Sequence, residues 1–109
     1  LEFRRVLFRS FREFDAAWTA PVHGFRDVDH YWSEGSARPW LGRISVPTLV
    51  IHARDDPFYT PDVLPTAAEL AAAVTFEVSA RGGHVGFVQA NGRSWLNERI
   101  PAWLGAHWA

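Results

Sequence analysis

The chain has 109 residues, 48% of them hydrophobic and 21% charged, a balance that suits one globular domain and excludes a disordered or fibrous chain. A net charge of −1 provides no summed positive field to hold nucleic acid or an anionic membrane surface, and the absence of cysteine excludes disulfides and thiolate chemistry. No apolar run has the length of a membrane span and the first residues lack the features of a signal peptide, so a cytoplasmic location is expected.

Residues 1–10 carry no useful helical or strand periodicity. Leu7-Phe8-Arg9-Ser10 is what the common sequencing-adapter end CTCTTCCGATCT encodes, so this segment is expected to be non-native, with one domain over 11–109. Phe11, Phe14 and Trp18 recur at helical spacing and predict a helix that Pro21 and Gly24 break. A short helix over Asp27–Trp32 follows, with Val28, Tyr31 and Trp32 on its apolar side, and Ser36 reads as the N-cap of another running to about Ile44. The rings of Trp18, Phe25, Tyr31, Trp32 and Trp40 are expected first as packing groups and second as an apolar wall for an acyl chain.

Pro47 to Ala53 is a β-branched, apolar run of the kind found in a parallel strand buried on both faces. Arg54-Asp55-Asp56-Pro57 is turn chemistry, Ala67 to Ala73 has strong helix propensity, and Val74 to Ser79 is a second strand. Arg81-Gly82-Gly83-His84 then forms a loop before a last helix around Trp95 to Trp108. Strand, helix, strand implies parallel pairing through a right-handed crossover, with functional residues beyond the carboxyl ends of the strands. Asp56 and His84 would share that rim.

A base held in one tautomer by a carboxylate can take a nucleophile's proton on its other ring nitrogen, and Asp56 and His84 suit the acid and base of such a relay. Their order, acid before histidine, matches the last two members of an α/β-hydrolase triad. Gly82 and Gly83 permit the positive φ and close approach needed to swing an imidazole over a site. Gly86-Phe87 is expected to begin the packing of the final helix, with Phe87 in the core. His52 reads as a hydrogen-bonded imidazole within the buried strand, His23 as a loop residue, and His30 and His107 as helical and surface-facing. A metal site from His52, Asp55, Asp56 and His84 is conceivable by residue type, but the spacing matches no ligand pattern.

Phe11-Arg12-Glu13-Phe14-Asp15, His23-Gly24-Phe25, Ile51 through Phe58 and Gly82 through Phe87 together resemble the YheT-like branch of the α/β-hydrolases. That resemblance implies an α/β architecture: the C-terminal part of the fold, with its last two parallel strands and flanking helices preceded by part of a helical cap. It implies a serine hydrolase of the short-chain carboxylesterase or monoacylglycerol-lipase kind, acting on a small-molecule ester or lipid-like substrate without cofactor or metal. The relay acid and histidine match Asp56 and His84. Asp56 is preferred to Asp55 because the resembling strand-turn puts the acid directly before the Pro-Phe pair. No Gly-x-Ser-x-Gly elbow occurs in the sequence, so the chain is expected to be an inactive fragment lacking the nucleophile. The alternative is a non-catalytic α/β binding or interaction module in which both residues are structural.

Overall fold

A computed structural model describes residues 8–108, which divide into two compact units, one ending at Ala37 and the other beginning at Arg38. Residues 1–7 of the segment expected to be non-native lie outside the described residues.

In the first unit, α1 (Phe11–Phe14) is capped by Ser10, whose hydroxyl accepts from the Glu13 amide at 3.1 Å. The Glu13 carboxylate in turn accepts from the Arg9 amide at 2.7 Å, and Phe8 packs edge-on against Phe14. The helix does not stop where Pro21 was expected to break it. It widens into a π-helical turn over Asp15–Thr19 and resumes as α2 (Ala20–Val22). Pro21 explains the widening, because its ring would strike the carbonyl four residues back in a regular α-helix and it has no amide to donate. Gly24, at φ 79°, then turns the chain.

The next helix, α3 (Val28–Gly35), is capped by Asp27, which accepts from the His30 amide at 2.8 Å. It runs three residues past Trp32, and Ser36 is its C-terminal cap and not the start of another helix. Salt bridge Arg12–Asp29 and the bond from Trp32 Nε1 to Asp15 cross-link the unit. Both are exposed, and among the described residues of this unit only Ala20 and Val28 are buried.

The second unit starts with a 3-10 helix over Arg38–Arg43, shorter and tighter than the expected helix to Ile44 because Pro39 and Gly42 both disfavour a regular α-helix. Next come β1 (Thr48–Ala53) and β2 (Val74–Ser79), paired in parallel from Thr48 opposite Val74 to Ala53 opposite Ser79. The helix expected at Ala67–Ala73 is a single 3-10 turn over Ala67–Glu69. Seven residues are too few for alanine propensity to overcome helix nucleation, and tertiary bonds claim the backbone. The Ala71 amide donates to Leu41 O at 3.1 Å. The Arg38 guanidinium grips Glu69 at 2.6 and 3.0 Å, while the amide and hydroxyl of Thr66 also donate to that carboxylate. Arg38 and Thr66 together hold Glu69 down to a pKa of about 2.

The last helix is α4 (Leu96–His107). Gly86-Phe87 does not lead straight into it: a turn from Gln89 to Arg93, with a bridge between Val88 and Ser94, intervenes. Phe87 itself is buried, as expected of a core residue. Arg99 of α4 forks onto Glu77 of β2, which lowers the Glu77 pKa chiefly through the hydrogen bonds it donates. This unit buries Ala53, Val74, Phe87 and Trp103, but among the described residues no large side chain is completely enclosed. β1, expected to be covered on both faces, is mostly half-buried, as is β2, because two strands and one long helix cannot cover both sides of a sheet. A cleft of about 430 Å³ lies open between Leu49 and Ile51 of β1 and Leu96, Ile100 and Leu104 of α4, with His84 on its wall. Among the described residues no helix is long and apolar enough to cross a membrane.

Candidate active site

Parallel pairing in register puts the carboxyl ends of β1 and β2 side by side at Ala53 and Ser79. The loops leaving those two ends carry the candidate residues, and the structure brings Asp56 and His84 into contact.

Asp56 follows β1 by three residues, in a turn closed by its own amide donating to Ala53 O at 3.3 Å. Its carboxylate is buried, accepting from the Phe58 amide at 2.9 Å through Oδ1 and contacting His84 Nδ1 at 2.8 Å through Oδ2. Burial by itself raises a carboxyl pKa, but here it is more than offset by the bond from His84, the Phe58 amide and the fields of His84 and His52, so Asp56 lies below the ordinary carboxylate range. An ionised carboxylate can only accept, so the proton between the two groups belongs to Nδ1. In the neutral ring Nε2 is then the basic nitrogen, and the His84 side chain is 44% exposed.

The imidazole sits between two rings of the β1 loop, Phe58 edge-on at 4.9 Å and Tyr59 tilted at 5.9 Å. His84 is delivered by a loop with unusual backbone. Gly83 has φ 62°, and Phe87 is the one described residue other than glycine with a positive φ, at 46°. A Cβ on Gly82 would lie 2.5 Å from the Phe87 ring and 3.0 Å from Ala53 Cβ, so only glycine lets the loop cross the end of β1 at this height.

Asp55 bonds to the residues before His84 and not to its ring. Its Oδ1 accepts from the amides of both Gly82 and Gly83, at 2.9 and 2.8 Å, so neighbouring aspartates grip the same loop at different points. This cross-loop bond escaped sequence reasoning, as did the two flanking rings. The available signal was a Gly-Gly pair at one strand end, whose successive amides need an acceptor, opposite an Asp-Asp pair at the other.

The other histidines have partners of their own. His52 is half-buried against Tyr59, not enclosed in a strand core as expected. His30 accepts from the Arg26 amide, His23 is an exposed helix cap, and His107 stacks on Trp103 at 4.1 Å. Among the described residues no group of three or more His, Asp or Glu is arranged to hold a metal ion.

Known proteins are similar to this chain. Residues 17–90 match the family model described as α/β hydrolase fold. The chain is 44% identical over 99 residues to the Escherichia coli (strain K12) protein named "Putative esterase YheT", covering 88% of this chain and 29% of that one. It is 36% identical over 93 residues to medium-chain fatty acid ethyl ester synthase/esterase 2 of Saccharomyces cerevisiae, covering 85% of this chain and 21% of the relative. It is 29% identical over 97 residues to the monoacylglycerol lipase of the same yeast, covering 88% and 22% respectively. The chain thus spans under a third of the length of each of these relatives, and no solved structure gives a significant match. A two-stranded parallel sheet whose adjoining loops join an aspartate to a histidine, together with a family match over most of the sequence, leads to one assignment: the chain belongs to the α/β hydrolase fold family.

Proposed function

We propose that Asp56 and His84 are the acid and base of a serine-hydrolase relay, in a protein that cleaves carboxylic esters or lipid-like substrates. The observation that carries this reading is the 2.8 Å contact between His84 Nδ1 and a buried carboxylate. His84 Nε2 takes the proton of a serine hydroxyl as that oxygen attacks the ester carbonyl, then returns it to the departing alcohol. The same nitrogen activates water to release the acid from the acyl-enzyme. Asp56 fixes the ring tautomer and stabilises the imidazolium formed in each half-reaction. Relatives named as an esterase and as a monoacylglycerol lipase support the substrate class.

The 109 residues contain no Gly-x-Ser-x-Gly elbow, so in this reading the nucleophile and the oxyanion-hole amides come from sequence outside them, and residues 11–109 are the C-terminal part of the hydrolase domain. The purified chain is expected to hydrolyse a short-chain nitrophenyl ester no faster than buffer. The reading frame extended upstream of Phe11 is expected to encode the elbow, and its product to turn the ester over, with Asp56→Asn lowering kcat by roughly 10⁴-fold. Serine-dependent turnover by the 109-residue chain itself, or an extended frame without the elbow, would overturn the assignment.

A further inference from the structure

Two aspartates adjoin at the end of β1, and the relay reading uses only one of them. We infer that Asp55 is a positioning residue for His84, anchoring the histidine loop through the Gly82 and Gly83 amides; as a role in catalysis this rests on the relay proposed for Asp56 and His84.

The argument begins with the backbone. Gly82 and Gly83 present successive amides that converge on a single oxygen, Asp55 Oδ1, at 2.9 and 2.8 Å. Converging amides of this kind form a concavity suited to an anionic acceptor. Gly83 lies in the left-handed region, a conformation that glycine adopts freely but does not prefer, so something must select it. The carboxylate does so from across the sheet end, 27 residues away in sequence from Gly82 and 28 from Gly83.

His84 is the residue immediately after this anchor. Its ring is held at the far end by Asp56, adjacent to Asp55 on the other loop. Two consecutive residues of one loop therefore hold two consecutive parts of the other, backbone and ring. Released from Asp55, the loop would remain attached to β2 and Phe87, but Gly82, Gly83 and His84 would regain freedom in the dihedrals that aim the imidazole. Ring placement within a few tenths of an ångström decides whether Nδ1 meets Asp56 while Nε2 faces a nucleophile.

The test is NMR on the 109-residue chain with Asp55→Ala, Asp55→Ser and Asp55→Asn. Asn retains an oxygen able to accept both amides. Ser can still cap its own turn, but its hydroxyl falls short of Gly82 and Gly83. The expected result for Ala and Ser is at least about tenfold faster hydrogen exchange at the Gly82 and Gly83 amides and loss of the His84 Nδ1 proton resonance, with the other amide signals unmoved. Asn is expected to restore both. An Ala or Ser variant that keeps the Nδ1 signal would overturn the inference, as would an Asn variant that loses it. If Ala unfolds, Ser decides; if both unfold, Asp55 belongs to the fold at large and the inference fails. None of these readouts depends on ester hydrolysis, so failure of the relay reading would leave them interpretable.

Discussion

The loops after the two strands reach the same place by different physics. The loop after β1 closes on itself: the Asp56 amide turns back to Ala53 O, and Asp56 Oδ1 takes the Phe58 amide two residues on. This is a local aspartate turn, written into a few consecutive residues. The loop after β2 also has bonds of its own, the Ser79 hydroxyl donating to Arg81 O, but its glycines and histidine are held from outside it. The Phe87 amide bonds back to Gly82 O at 2.8 Å, but Gly82 and Gly83 donate to Asp55, His84 leans on Asp56, and both Gly83 and Phe87 occupy positive φ. The acid is thus pre-formed by its neighbours in sequence, whereas the histidine takes its position from contacts with the other loop. Substitutions should therefore be felt more in the second loop than in the first.

The largest effect is expected from Gly82→Ala. The added methyl would overlap the buried Phe87 ring at 2.5 and 2.6 Å, with Ala53 Cβ behind it at 3.0 Å, so neither neighbour can move without opening the small core. Overpacking of this severity costs about 2–3 kcal/mol, a large share of the stability of so small a domain. Urea unfolding followed by tryptophan fluorescence should show the midpoint collapse. The matching probe in the first loop is Arg54→Ala, an exposed side chain whose loss should change stability by no more than about 0.5 kcal/mol. Equal effects from the two would refute the asymmetry.

Gly83→Ala separates backbone strain from packing. No atom lies within 4 Å of a Cβ built there, so its cost comes from φ 62° alone. That strain is worth about 1 kcal/mol. The same titration should place this variant between Gly82→Ala and Arg54→Ala, and a loss as large as that of Gly82→Ala would mean that the loop is rearranged rather than strained.

The same contrast explains what could be read before the structure was known. Both strands and the final helix follow from runs of residue types, β-branched at Val50-Ile51 and at the start of β2, helical spacing toward Trp103, and all three appear within a residue or two of where the patterns put them. Asp56 and His84 were suggested by strand ends and by family resemblance, both visible in one dimension. What escaped was tertiary in origin. The alanines of Ala67–Ala73 favour a helix that the Arg38–Glu69 grip and the Ala71–Leu41 bond override. Phe87 is recognisable as apolar but not as left-handed, since its φ is set by how the loop folds over Ala53. The part played by Asp55 depends on two amides more than twenty residues away, and no local pattern encodes that distance.

The smallest expected effect is the one that titrates. Asp56 has its pKa depressed in the folded chain, despite burial acting in the opposite direction, because His84 and the Phe58 amide favour the carboxylate. A depressed carboxyl stabilises the fold at every pH above its unfolded value, near 3.8, and that contribution disappears as pH falls through the lower folded value. Glu69, held at about 2 by Arg38 and Thr66, behaves in the same sense. The melting temperature of the wild-type chain minus that of Asp56→Asn is therefore expected to shrink as pH falls below that unfolded value. Glu69→Gln serves as the companion in the same series, its gap shrinking as pH falls from the ordinary value of 4.5 toward about 2. A gap for Asp56→Asn that stays flat to pH 2 would mean that the carboxylate and His84 do not hold each other in the folded chain. The first loop would then be a turn with no grip on the second.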